Sequence, residues 1–304
     1  MSTLCDGVFA AFWSPADAAG QLLQEAITAN LRFLQGKGLR GLMLLGTTGE
    51  FLHLDPATRC QLIESVVRQA GDLTIIANIS DIRPRVVVEL GRFARSLQIP
   101  AAAVLPPYYH ALASEDLVEF FVRTGEAVGL PILLYNFPER TGNALTLEIV
   151  AAVANRMPIL GIKQSGGSFA FHRDLAQLGR EKGFVVLTGA DTHLVEAMDL
   201  GATGCVSGLS DVVPEFVVEV YEAYRAGAPQ RAQLARERLK DIGQCIDRVS
   251  FPLSIAAAME ARGLPVGTPK AIVSPATQKR YEQLVADLRE RFRQWGLASP
   301  SHAS

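Results

Sequence analysis

The sequence predicts an alternating α/β chain closed into a (β/α)8 TIM-type barrel and followed by a helical appendage. Three observations predict it. Short apolar, β-rich runs bounded by turn residues recur eight times before residue 226. Segments with helical periodicity fill the intervals between them. The β pattern then stops at Ala226-Gly227-Ala228-Pro229. An open doubly wound sheet is the competing architecture. It usually places a nucleotide-binding glycine turn after its first strand, and this chain has Phe12-Trp13-Ser14-Pro15 there.

The expected strands are 8–13, 41–45, 73–79, 101–105, 131–136, 159–163, 184–188 and 204–207. Several are apolar at consecutive positions, the pattern of strands buried on both faces of a parallel sheet. Among the helices, 56–70 puts Cys60, Leu62, Ile63, Val66 and Val67 on one stripe and leaves Arg59, Glu64, Arg68 and Gln69 for water. Asp55-Pro56 supplies an N-cap with proline at the first helical position. Ser114 heads the next helix, with Glu115 and Asp116 where the helix dipole favours acids, and Thr146 caps 147–155. Residues 230–295 read as helices with a break near 263–268. The expected domains are a catalytic barrel over 1–226 and a helical domain over 227–297, with a disordered tail over 298–304.

Composition narrows the function. With 49% hydrophobic and 20% charged residues among 304, the chain has enough apolar material for a large core. A net charge of −2 gives no bulk attraction for nucleic acid or an anionic membrane. No apolar run approaches the roughly 18 residues of a membrane span. The start, MSTLCDGVFAAFW, lacks a basic region followed by an apolar segment and so does not read as a secretory signal. Cys5, Cys60, Cys205 and Cys245 are scattered without metal spacing and read as reduced thiols, so the cytoplasm is the expected compartment. The five histidines show no paired ligand spacing, no strand end carries a carboxylate cluster, and no cofactor signature is present. No metal site and no cofactor are therefore expected.

Barrel enzymes place their chemistry at the C-terminal ends of the strands. Of the six lysines, Lys163 alone follows directly on an apolar strand. Apolar barrel walls disfavour an ammonium, and a lysine so lowered in pKa is the nucleophile that forms a Schiff base with a ketone. A lysine snorkelling to the rim or paired with a carboxylate fits the same position. Tyr135 ends the adjacent strand and can carry protons, although a core tyrosine with a wet tip has the same signature. Gly46-Thr47-Thr48-Gly49 offers hydroxyls and backbone N–H groups to a carboxylate, or is an ordinary glycine-bounded turn. Arg140 can grip a second carboxylate, or be a solvated loop arginine. Gly189 and Gly208 stand where barrel enzymes commonly hold phosphate, so a phosphosugar-binding barrel is a rival.

The succession GTTGE, PPYYH, YNFPERTG and GIKQSGG resembles the dihydrodipicolinate synthase / N-acetylneuraminate lyase family along nearly the whole chain. The resemblance implies the same barrel with C-terminal helices, usually a homotetramer made of two tight dimers. It implies that Lys163 condenses with pyruvate, or with a 2-oxo acid that releases pyruvate, and that Tyr135 is the general acid/base. Thr47 and Thr48 match the positions for the pyruvate carboxylate and the proton relay. Tyr109 matches the tyrosine that crosses the tight dimer into the neighbour's site. Val206 matches a position lining the pyruvate pocket, and Gly46, Gly49, Gly189 and Ser207 are taken as substrate-binding with it.

Arg140 is like the synthases' arginine for a semialdehyde carboxylate. The sialic acid lyases usually lack it and begin the strand-2 motif with serine. Phe51 and Leu52 are unlike the small residues of lysine-regulated synthases, and 166–169 and 207–211 look more like catabolic members. The favoured reading is therefore a pyruvate-forming aldolase, or related dehydratase, for 2-keto-3-deoxy sugar acids or 4-hydroxy-2-oxo acids. The alternative is 4-hydroxy-tetrahydrodipicolinate synthase, condensing pyruvate with aspartate semialdehyde. A non-catalytic metabolite-binding barrel is the alternative of another class.

Overall fold

The computed structural model describes residues 3–297, and the tail expected over 298–304 lies outside them. Eight parallel strands close into a barrel in sequence order. They are β1 (Gly7–Ala10), β2 (Gly41–Leu44), β3 (Thr74–Asn78), β4 (Ala101–Val104), β5 (Ile132–Asn136), β6 (Gly161–Gln164), β7 (Val185–Thr188) and β8 (Gly204–Ser207). Helices alternate with them, as the pattern predicts. Seven strands are buried at every position and β3 at all but its first, which explains their continuous apolar runs. Closure between the last and first strands is tight, with Gly7 N donating to the Thr203 carbonyl at 3.3 Å. A Cβ on Gly204 would collide with the Gly7 carbonyl, so β8 can open only with glycine.

The described residues fall into two compact units. The first comprises the chain through Phe9, Arg40–Met43 and Asp72–Ser207, and so carries nearly all of the barrel strands. The second comprises Ala10–Leu39, Leu44–Gly71 and the chain from Gly208 onward. It holds the exits of β1 and β2, helices Gln24–Leu34 and Pro56–Val67, and the C-terminal helices Gln233–Ile246, Leu253–Ala261 and Pro275–Gln294.

Local expectations mostly hold. Asp55 caps its helix by accepting from Thr58 N at 2.7 Å. That bond holds its carboxyl below the usual aspartate value. Thr146 caps Leu147–Arg156 through Ile149 N. Ser114 heads its helix as expected, with Glu115 and Asp116 in the first turn. Other expectations need correction. The first strand ends at Ala10, and Trp13 instead donates Nε1–H to the Val266 carbonyl at 2.9 Å. Arg59 does not face water: it is buried, donates to the Leu54 carbonyl at 2.9 Å and lies over the Phe51 ring. Its long stem lets it lie along apolar surface while its head meets a carbonyl. The appendage has a second break between Ile246 and Leu253, besides the one after Ala261.

Candidate active site

In the first unit, β5 and β6 pair in a register that sets Tyr135 directly beside Lys163. Both are buried, with Tyr135 at 1% exposure and Lys163 at 5%. Lys163 Nζ stands 4.2 Å from the centroid of the Tyr135 ring. That face is the negative pole of the ring quadrupole. The approach needs space from β7. A Cβ on Gly189 would lie 3.4 Å from Lys163 Cε and overlap the Ser165 hydroxyl.

A column of side chains continues from this pair. The Phe137 ring is stacked 6.4 Å from Tyr135, and the exposed Arg140 guanidinium lies 5.8 Å from the Phe137 centroid. Pro138–Thr141 form a single helical turn, ended by Gly142 in the left-handed region (φ 75). The sequence brings Tyr135, Phe137 and Arg140 together because that turn folds YNFPERTG back on itself.

Several supporting residues escaped the sequence reading. Asn136 and Gln164, opposite each other in register, are joined by a 2.8 Å bond. Asn136 also accepts from Leu145 N, and Gln164 donates to the Gly166 carbonyl, so the loops after β5 and β6 hang from one buried amide pair. Glu139 accepts from Gly167 N, tying the same two loops. Asp191, just past β7, accepts from the Ser207 hydroxyl at 2.7 Å. Ser207 and Val206, both singled out from the sequence, are buried on β8. His172 is buried between the Phe169 carbonyl and the Thr188 hydroxyl, both 3.1 Å from its ring nitrogens. Burial draws its pKa below the ordinary histidine value. The only signal for Asn136 and Gln164 was a polar residue closing an apolar strand.

Tyr109 is not brought to this group. It is 86% exposed, with φ 81, and packs edge-on against His110. A bulky residue in that backbone region is a conformational outlier.

In the second unit, Gly46-Thr47-Thr48-Gly49 forms the turn at the exit of β2. Gly46, Thr48 and Gly49 are buried and Thr47 is half-buried. Gly49 sits where a Cβ would lie 2.8 Å from the Phe12 carbonyl and 2.9 Å from Ser14 Oγ, so only glycine fits the close approach. Gly208 lies beside Thr48 Oγ1, with Ile255 next to it.

Among the described residues, no group of three or more His, Cys, Asp or Glu side chains is placed to hold a metal ion. None of their helices is long and apolar enough to cross a membrane.

Comparison with known proteins places this fold. A 4-hydroxy-tetrahydrodipicolinate synthase of Methanothrix thermoacetophila is 30% identical over 278 residues, covering 91% of this chain and 94% of that protein. An uncharacterized DapA-like lyase of Thermofilum pendens is 31% identical, covering 95% of this chain and 98% of its own. The structure of YagE, a prophage protein of the dihydrodipicolinic acid synthase family from E. coli in complex with pyruvate, matches with a TM-score of 0.86. It is 27% identical and covers 96% of this chain and 99% of its own. The model of the dihydrodipicolinate synthetase family matches residues 4–291. With that match running from before β1 into the last helix, the chain belongs to the dihydrodipicolinate synthetase family.

Proposed function

We propose that the protein is a Schiff-base lyase that cleaves 2-oxo acids to pyruvate, its substrate being a 2-keto-3-deoxy sugar acid or another 4-hydroxy-2-oxo acid. The observation that carries this reading is the buried Lys163 amine against the Tyr135 ring, on adjacent strands in register. An unprotonated Lys163 amine adds to the C2 ketone, and loss of water leaves an imine. The protonated imine withdraws electrons from the C3–C4 bond. Removal of the C4 hydroxyl proton releases an aldehyde and leaves the pyruvate enamine. Protonation at C3 and hydrolysis by water return pyruvate and free Lys163. Tyr135 is the group that carries these protons. A dehydratase outcome expels a hydroxyl through the same imine.

In this reading Thr47 and Thr48 take the substrate carboxylate and relay a proton, with Gly46 and Gly49 leaving their backbone open. Gly189, Val206 and Ser207 line the substrate pocket. Arg140 holds a distal acid group. The exposed Tyr109 serves the neighbouring copy of a tight dimer, two of which make a tetramer. No metal and no cofactor take part.

The second reading is the synthase direction, with pyruvate condensing with aspartate semialdehyde. It is favoured by relatives at about 30% identity that carry that name and by an arginine at position 140. Borohydride trapping with pyruvate, followed by peptide mapping, tests both readings. A stable adduct on Lys163 is expected. Product analysis with aspartate semialdehyde and with 2-keto-3-deoxy acids then separates them. A folded protein that forms no adduct with pyruvate or with any 4-hydroxy-2-oxo acid would refute the imine chemistry.

A further inference from the structure

The turn Thr47–Glu50 is closed by Glu50 N donating to the Thr47 carbonyl at 3.1 Å. Glu50 holds φ 53, a left-handed conformation that a non-glycine residue keeps only where its surroundings over-determine it. The Glu50 side chain, 7% exposed, meets Lys270 Nζ at 2.7 Å, and the Lys270 side chain is 4% exposed. The same ammonium lies 4.7 Å from the centroid of the Trp13 ring. Lys270 comes from the segment between helices Leu253–Ala261 and Pro275–Gln294, 220 positions away in sequence.

That segment is itself fastened. Trp13 Nε1 donates to the Val266 carbonyl at 2.9 Å, and Thr268 N donates to the Ala16 carbonyl at 2.8 Å. Gly267 bridges to Ala16, where a Cβ would strike the Ala16 carbonyl. The contacts form a circuit: Trp13 to Val266, Lys270 to Glu50, and Gly49 back against Phe12 and Ser14. The threonine turn is thus held from beneath by 12–14 and at its Glu50 end by Lys270.

A buried ion pair is a weak device for stability, because desolvation offsets most of the Coulomb attraction. Burial draws the Lys270 amine below the ordinary lysine value, and the Glu50 carboxylate opposes that shift. What such a pair does supply is geometry: a short charge-assisted bond tolerates little displacement of either backbone. We infer that Lys270 is a positioning residue that sets the Thr47-Thr48 hydroxyls through Glu50, so the segment between helices Leu253–Ala261 and Pro275–Gln294 supports the threonine turn. What the threonines hold rests on the pyruvate reading; the clasp itself does not.

The test uses the full chain as wild type, Lys270→Arg, Lys270→Met and Glu50→Gln/Lys270→Met. Three quantities are read: Tm, the KM for pyruvate in hydrogen–deuterium exchange at its methyl group, and backbone amide exchange of the peptide covering 46–51. Lys270→Met is expected to raise that KM by roughly ten- to a hundredfold, the scale of a small misplacement of binding groups, and to speed amide exchange of the peptide. Lys270→Arg keeps the charge and recovers most of both. The double variant leaves no orphan charge, so it regains Tm without regaining KM, and it carries the test if Lys270→Met does not fold. A double variant with wild-type KM and amide exchange would overturn the inference, as would an unchanged Lys270→Met. Wild type that exchanges no pyruvate protons refutes the pyruvate reading, and the amide arm then decides the clasp alone.

Discussion

Replacing Tyr135 by Phe separates packing from proton transfer at one atom. The side chain is 1% exposed, so phenylalanine refills its volume and leaves no cavity. The ring face beneath Lys163 at 4.2 Å and the stack on Phe137 are both retained. Stability should fall by no more than a hydroxyl's net hydrogen-bond contribution, about 0.5–1.5 kcal/mol. The proton-transfer loss is larger. A positioned acid/base contributes about 10²–10⁴ in rate, equivalent to ~3–5 kcal/mol of barrier. Exchange of the pyruvate methyl protons for deuterium, followed by NMR, reads that step with pyruvate as sole substrate. Tyr135→Phe should still give the borohydride-trapped adduct on Lys163 while methyl exchange slows by about two to four orders of magnitude. Exchange within about threefold of wild type would transfer the proton-carrying role to another group.

Three further outcomes are expected. Arg140→Ala should leave pyruvate methyl exchange unchanged and raise the KM of a substrate with a distal carboxylate by roughly ten- to a hundredfold, the worth of a charge-assisted pair; a loss confined to pyruvate would disprove that role. His172, whose pKa is lowered by burial, should make stability fall with acidification. As pH drops through about 6.5 the unfolded chain takes up a proton that the native ring resists, so Tm should decline from there downward. The slope should shrink in His172→Gln, and an identical Tm–pH curve for the two proteins would rule the linkage out. Burial pushes the Cys5 thiol up to about 12 and holds Cys205 well above the usual cysteine value. Iodoacetamide at pH 8 should therefore label the half-buried Cys60 before either, and early labelling of Cys5 would mean that the N-terminal segment opens in the native state.

The barrel was legible in the sequence because its strands are buried on both faces and therefore read as apolar runs with turns at each end. The caps at Asp55 and Thr146 were legible because a cap bonds within three residues of itself. The motifs of the candidate site could be picked out because barrel geometry assigns chemistry to strand ends, and each motif lies at one. Periodicity, however, describes which face a residue occupies and not which distant group it meets. It sent Arg59 to water, whereas the folded chain gives it the Leu54 carbonyl and the Phe51 ring. It extended the first strand through Trp13, whose indole instead bonds a carbonyl 253 positions away.

The sequence by itself determined the fold class and the strand order and put Lys163 at a strand end, since these follow from local pattern repeated along the chain. Only the tertiary structure decided that Tyr135 stands beside Lys163, that one amide pair carries two loops, and that Lys270 grips Glu50. Those are contacts between residues far apart in the chain, and a buried polar group takes whichever partner the closed fold puts within hydrogen-bonding distance.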